Sequence, residues 1–238
     1  MAAAVEQKRQ SPSMLRWVRP PQQARTRETL GRLLDAAEGL LAEKGFEETT
    51  IAEIAGRAGS SVGGFYRRFK DKDRLVQALH ERFTEESRAT AADVLDPQRW
   101  AGSSTAEILS QVAEFLVRVY RERSGLLRTF LHRGVLDEAV QERQEQVFEY
   151  IADLLENLLA ERTSDINHPD PALAVRFALR VLFGALDDTI QIRTTVPRLD
   201  DDRIVTELGR VMQRYLGVRE TSGAPAERQQ RRMFSWQR

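Results

Sequence analysis

Ser60, Ser61, Val62 and Gly63 are followed within ten residues by Tyr66, Arg67, Lys70 and Lys72. Two hydroxyls, a branched methyl side chain and a bare backbone come first, then a phenol and three cations. Serine hydroxyls donate or accept at base edges, and a valine methyl rests well on the methyl of thymine. Tyrosine, arginine and lysine bond to phosphate oxygens, which fixes register without reading sequence. In that order the residue types suit a face that meets a nucleic-acid duplex. Thr50 supplies another hydroxyl for the same task, and Arg25 and Arg27 supply cations upstream.

Such residues work only if short, well-bounded elements hold them. Thr50-x-x-Glu53 is a capping box, which starts a helix by satisfying two orphan amides reciprocally. Ile51, Ile54, Ala55 and Ala58 make its apolar stripe, and Gly59 is a ready stop. A further helix is predicted from Ser61 to Phe69, with Phe65 and Phe69 turned inward. Gly63 and Gly64 are expensive there, about 1 kcal/mol each relative to alanine. The expectation is that they leave no side chain to hold the backbone off DNA. Two short helices around a glycine turn form a helix-turn-helix over residues 50–69, whose second helix enters the major groove. Upstream, Leu30, Leu33, Leu34, Ala37, Leu40 and Leu41 define an amphipathic helix that Lys44 and Gly45 close. Downstream, Asp71 caps a fourth helix carrying Leu75, Leu79 and Phe83.

The run "RETLGRLLDAAEGLLAEKGFEETTIAEIAGRAGSSVGGFYRRFKDKDRLVQAL" resembles the N-terminal domain of tetracycline-repressor-type (TetR family) transcriptional regulators. The resemblance lies in A-x-x-L-x-x-x-K-G-F, T-T-I-x-x-I-A, A-G-S-S-x-G-x-F-Y-x-x-F and K-x-K-x-x-L. It implies a two-domain all-α fold, a homodimer on a palindromic operator, and a C-terminal domain whose small-molecule effector weakens DNA binding. It also implies phosphate contacts at Thr50, Tyr66, Lys70 and Lys72, and base-facing positions at Ser60, Ser61, Val62 and Gly63. Gly64 departs from the family pattern, where threonine or alanine is usual, and the operator sequence is left open.

The remainder reads as helices throughout. Ile108, Leu109, Val112, Leu116 and Val119 share one stripe. "SGLLRTFLHRG" is predicted as a separate short helix between two glycines. Further helices are predicted over 136–162 and 172–193, and a last one carries Ile204, Leu208, Val211 and Tyr215. No segment alternates as a strand does, so the chain is predicted all-α with about nine helices. The predicted layout is a flexible basic arm over 1–22, a DNA-binding domain over 23–82, an effector-binding and dimerisation domain over 83–218, and a disordered tail over 219–238.

In the second domain, Phe115, Phe130, His132, Phe148, Phe177 and Arg180 are candidates for lining an effector pocket. Arg176 and Arg180 lie four apart on an apolar helix; pairing with acidic residues is favoured over binding an anion. The 172–193 helix is apolar on nearly every side and must be buried all round. The expectation is a four-helix dimer interface using Phe177, Val181, Leu182, Ala185 and Leu186 with Leu208, Val211 and Tyr215 of the final helix. His80 and His168 are expected at the surface. Asp187, Asp188 and Asp200–Asp202 lack the ligand number a magnesium site wants, so no metal or other cofactor is expected.

Composition fits this picture. The chain has 238 residues and no cysteine, which excludes disulfides, cysteine-ligated zinc and a thiol nucleophile. Formal net charge is zero but uneven: +4 over residues 1–82, −7 over 83–218 and +3 over 219–238. The opening "MAAAVEQKRQ" has no apolar core of a secretion signal, and Arg176 and Arg180 interrupt the most apolar stretch. A cytoplasmic protein that does not enter membranes is expected. The rival reading is a helical-bundle enzyme or ligand carrier in which the N-terminal motif is only structural. Against it, no nucleophile, general base or phosphate loop can be assembled from the residues.

Overall fold

The computed structural model describes residues 24–134, 137–192, 198 and 200–218, without the side chains of residues 24–27. The predicted arm over 1–22 and tail over 219–238 lie outside the described residues. Among those described, eight α-helices and two short 3-10 turns carry the fold, and there is no strand. The helices are α1 Ala24–Glu48, α2 Ile51–Arg57, α3 Val62–Tyr66, α4 Lys72–Val94, α5 Thr105–Gly134, α6 Glu138–Leu159, α7 Pro171–Gln191 and α8 Arg203–Tyr215. The 3-10 turns are Pro97–Trp100 and Ala160–Asp165.

Two hydrophobic cores divide the work. In the N-terminal head, Leu33, Leu34 and Leu41 of α1 enclose Ile54 of α2, Phe65 and Phe69 at α3, and Leu75 and Leu79 of α4. Each fully buried leucine or phenylalanine contributes about 1.5–3 kcal/mol of apolar transfer energy. The body core joins Ile108, Leu109 and Val117 of α5 to Leu155 of α6, Leu179, Leu182 and Leu186 of α7, and Leu208 and Met212 of α8. The cores are not confined to the domain limits read from sequence. α4 crosses the boundary at 82/83 unbroken, and Leu126 and Phe130 of α5 complete the head.

The expected ninth helix is absent from the described residues because "SGLLRTFLHRG" is the second half of α5. The helix bends at Arg123 (φ −113°, ψ 16°) and continues through Gly125. That glycine does not end a helix. It lets α5 press on α1: a Cβ at Gly125 would stand 2.5 Å from the Cα of Ala42 and 3.1 Å from the carbonyl oxygen of Leu41. α3 is also shorter than predicted, ending at Tyr66 rather than Phe69.

The interface expectation needs a second correction. Leu182 and Leu186 have no exposure at all, and Leu208 is buried. Ala185 packs against the same core. The three leucines belong to the interior of the subunit, and Ala185 is partly buried beside them. An all-round apolar helix must be buried, but α7 meets its needs largely within the chain, between α5, α6 and α8. Its outward stripe is Leu173, Phe177 and Val181, continued on α8 by Val211 and Tyr215. The Phe177 and Tyr215 rings meet across the two helices at a tilt of 45° with centroids 5.4 Å apart.

Candidate nucleic-acid interface and ligand cavity

The helix-turn-helix is built by local chemistry. Thr50 caps α2 with a complete capping box: its Oγ1 accepts from the Glu53 amide, and Glu53 Oε2 accepts from the Thr50 amide at 2.9 Å. Lys44 donates to Glu53 at 2.5 Å, and this bond with those from Thr50 holds the carboxyl at about 2. Gly59 takes φ +60°, a conformation that costs glycine little, and the chain turns into α3. Ser61 caps α3, its Oγ accepting from the Gly64 amide at 3.0 Å. Arg57 forks onto Glu43 at 2.6 and 2.7 Å and ties α2 to α1, a link that sequence reasoning did not single out.

The five residues of α3 divide cleanly. Gly64 and Phe65 face inward, while Val62, Gly63 and Tyr66 face out with Arg67 and Lys70 beyond them. Val62 is 43% and Tyr66 52% exposed, one helical turn apart. Neither side chain is used in the core of the head. The two glycines of the pair differ in their surroundings. Gly63 is exposed, and a Cβ there would make only an ordinary contact of 3.9 Å with the Ser61 hydroxyl, but Gly64 is buried, and the Ser60 hydroxyl occupies the place a Cβ would take. Both serine hydroxyls are thus turned toward the start of α3. Arg25 and Arg27 fall in the first turn of α1, where side chains lie outside the described residues.

Lys72 is the marked exception among the expected phosphate contacts. Its ammonium donates to the carbonyls of Phe46 at 2.5 Å and Thr49 at 2.8 Å, and lies over the Phe46 ring. Partial burial pushes its pKa below the usual lysine value. It is an anchor of the head, with Lys70 the exposed cation beside it.

The body contains a cavity of about 1620 Å³ bounded by α4, α5, α6, α7 and the 3-10 turn at Pro97–Trp100. Phe115, Phe130 and Phe148 line it, together with Phe83, Tyr120 and Phe183. Arg180 stands at its wall, paired with Glu145 at 2.9 Å and stacked on Phe148. Arg176 binds Glu149, Asp153 and Glu156 of α6, so the pairing reading of these arginines holds.

Two pocket expectations are overturned. His132 is exposed on α5 and Phe177 lies on the outer face of α7, because the helical register carries both away from the cavity. The histidine that does reach the cavity is His80, at 1% exposure. Its ring meets Phe130 edge to face, and its Nδ1 accepts from Arg143 Nε at 3.3 Å. Burial, with the neighbouring Arg143 charge, lowers its pKa to about 4. Its place on α4 beneath an apolar turn held no sequence signal. No group of histidines and carboxylates among the described residues could hold a metal ion, and no described helix is long and apolar enough to cross a membrane.

A capped helix-turn-helix head on a helical body with a large aromatic cavity defines a DNA-binding regulator with room for a ligand. The chain belongs to the tetR family of bacterial regulatory proteins. Residues 33–79 match the family described as "Bacterial regulatory proteins, tetR family", and residues 104–216 the "Tetracyclin repressor-like, C-terminal domain". Among relatives, it is 26% identical over 155 residues to the uncharacterized HTH-type transcriptional regulator YvkB of Bacillus subtilis, covering 63% of this chain and 80% of YvkB. A tetR-family regulator from Mesorhizobium loti shares the fold with a TM-score of 0.66 at 18% identity, over 82% of this chain and 98% of that one. FadR of Bacillus subtilis, solved in complex with stearoyl-CoA, matches with a TM-score of 0.57 at 20% identity, over 80% and 99% of the two chains.

Proposed function

We propose that the chain is a homodimeric repressor that holds a palindromic operator with α3 of each subunit and lets go when a small molecule fills the cavity. The observation that carries this reading is the double duty of α4. Leu75, Val76 and Leu79 pack in the core of the head, and Phe83, Thr84, Ala91 and Val94 line the cavity on the same continuous helix. A ligand that moves the C-terminal half of α4 must move the head with it. FadR, which shares the fold, was solved in complex with stearoyl-CoA, which supports a small-molecule ligand for this chain too. Pairing through the outward stripe of α7 and α8 supports a two-fold arrangement, because one patch serves both subunits.

The test is binding to random and selected duplexes across a salt series. Arg67 and Lys70 from two subunits neutralise roughly four phosphates, so log affinity should fall against log salt with a slope of about −4. Selection should return an inverted repeat with half-sites about one helical turn apart. A flat salt response would leave only the enzyme or carrier reading. Selection of a single unrepeated half-site would defeat the dimeric one.

A further inference from the structure

The charged groups of the cavity are unequally matched. Arg99 pairs with Asp93 at 2.6 Å, Arg123 with Glu38 at 2.6 Å, and Arg180 with Glu145. Arg118 stands over the Phe115 ring. Asp187 of α7 has no cation. Its Oδ1 accepts the Tyr120 hydroxyl at 2.6 Å, and it has no ion pair among the described residues. Tyr120 is buried, and Asp187 is partly buried and borders the cavity. Around them the rings form a wall: Tyr120 lies 6.4 Å from Phe183, and Phe148 meets Phe183 edge to face at 5.9 Å.

A desolvated carboxylate held by one neutral hydrogen bond is costly to keep unless something positive joins it. Aromatic faces beside it attract the same partner, since their quadrupoles favour cations. An anion entering beside Asp187 would meet its charge, while the arginines on the same cavity wall are already engaged, Arg180 with Glu145 and the Phe148 ring and Arg118 with the Phe115 ring. We propose that the cavity takes an amphipathic organic cation, with Asp187 as counter-charge and the rings of Tyr120, Phe148 and Phe183 as its walls. The inference rests on the regulatory reading above and narrows its ligand to one class. It separates this chain from FadR, whose bound stearoyl-CoA is a polyanion on a long apolar tail.

Calorimetry with tetraphenylphosphonium and with decanoate tests it on the full-length protein. The wild type should bind tetraphenylphosphonium saturably and more tightly than decanoate. Asp187→Asn keeps the shape and the Tyr120 partner but removes the charge; it should weaken the cation at least tenfold and leave decanoate equal or tighter. Tyr120→Phe, which leaves the carboxylate in place, should retain cation binding. Preference of the wild type for decanoate, or an unchanged cation affinity in Asp187→Asn, would overturn the proposal. Duplex binding measured on the same samples keeps the two readings apart. A protein that binds duplex with the expected salt slope but not tetraphenylphosphonium fails this inference alone, while loss of salt-dependent duplex binding fails the regulator reading.

Discussion

Lys72 reaches back across the head to Thr49, its Nζ donating to that residue's carbonyl oxygen at 2.8 Å. The same ammonium bonds the Phe46 carbonyl, and Arg133 also stacks on the Phe46 ring. The first turn of α4 is thereby fastened to the link between α1 and α2, next to Thr50. Lys72→Met leaves these carbonyls short of a charged donor and should cost about 1–3 kcal/mol of stability. Lys70→Met, at an exposed side chain, should stay within about 0.5 kcal/mol. Both should weaken duplex binding. Urea denaturation separates them: equal midpoints for the two variants would mean Lys72 anchors nothing.

His80 makes stability depend on acidity. Its pKa is depressed from 6.5 to about 4, so the folded state resists a proton that the unfolded chain accepts. The stabilisation is present above pH 6.5 and is lost as pH falls toward 4, roughly 3 kcal/mol in all. His80→Gln should flatten the fall in Tm between pH 7 and pH 4.5 relative to wild type. Parallel curves for the two proteins would show that other groups carry the acid sensitivity.

Asp187 has the opposite linkage. Burial raises its pKa above 3.8 in the folded state, so its contribution favours folding at low pH and is lost as pH rises through the raised value. At neutral pH the ionised carboxylate is a burden on the empty protein. Asp187→Asn should therefore raise Tm at pH 7, with the gain shrinking as pH approaches 4. A lower Tm at pH 7 would show that the ionised group is satisfied in a way the Tyr120 bond does not explain.

Val181 and Leu182 are sequence neighbours with different fates. Val181 lies on the outward stripe, 37% exposed, and Leu182 has no exposure. Val181→Glu should give a folded monomer by light scattering, with weak operator binding. Leu182→Glu places a charge in the body core and should unfold or precipitate the protein. A dimeric Val181→Glu variant with normal operator affinity would move the interface off this face.

What could be read in the sequence was local. The capping box at Thr50 and Glu53, the turn at Gly59 and the cap at Asp71 depend on residues within a few positions of each other, and all three form. Periodicity located the helices but could not say what each face would meet. It could not place Leu182 inside the subunit and Val181 outside, since both satisfy the same demand for burial. His80 and His132 were exchanged for the same reason: a step of one or two residues along α4 or α5 swings a side chain roughly 100–200° round the helix and decides exposure. Gly125 looked like a break because a glycine's neighbour in space, here Ala42, leaves no mark in the surrounding sequence. Lys72 looked like a phosphate contact because composition records a positive charge but not the carbonyls it meets.

The seam between Gly125 and Ala42 brings α5 of the body against α1 of the head backbone to backbone. Ordinary helix packing interposes side chains, which yield by changing rotamer and absorb small displacements. Here backbone lies on backbone two residues below the bend at Arg123, with Leu41 and Ala42 filling the space a methyl group would need. At this joint the spacing of α5 and α1 is set by main chain, so a shift of the lower half of α5 must either carry α1 with it or open the contact.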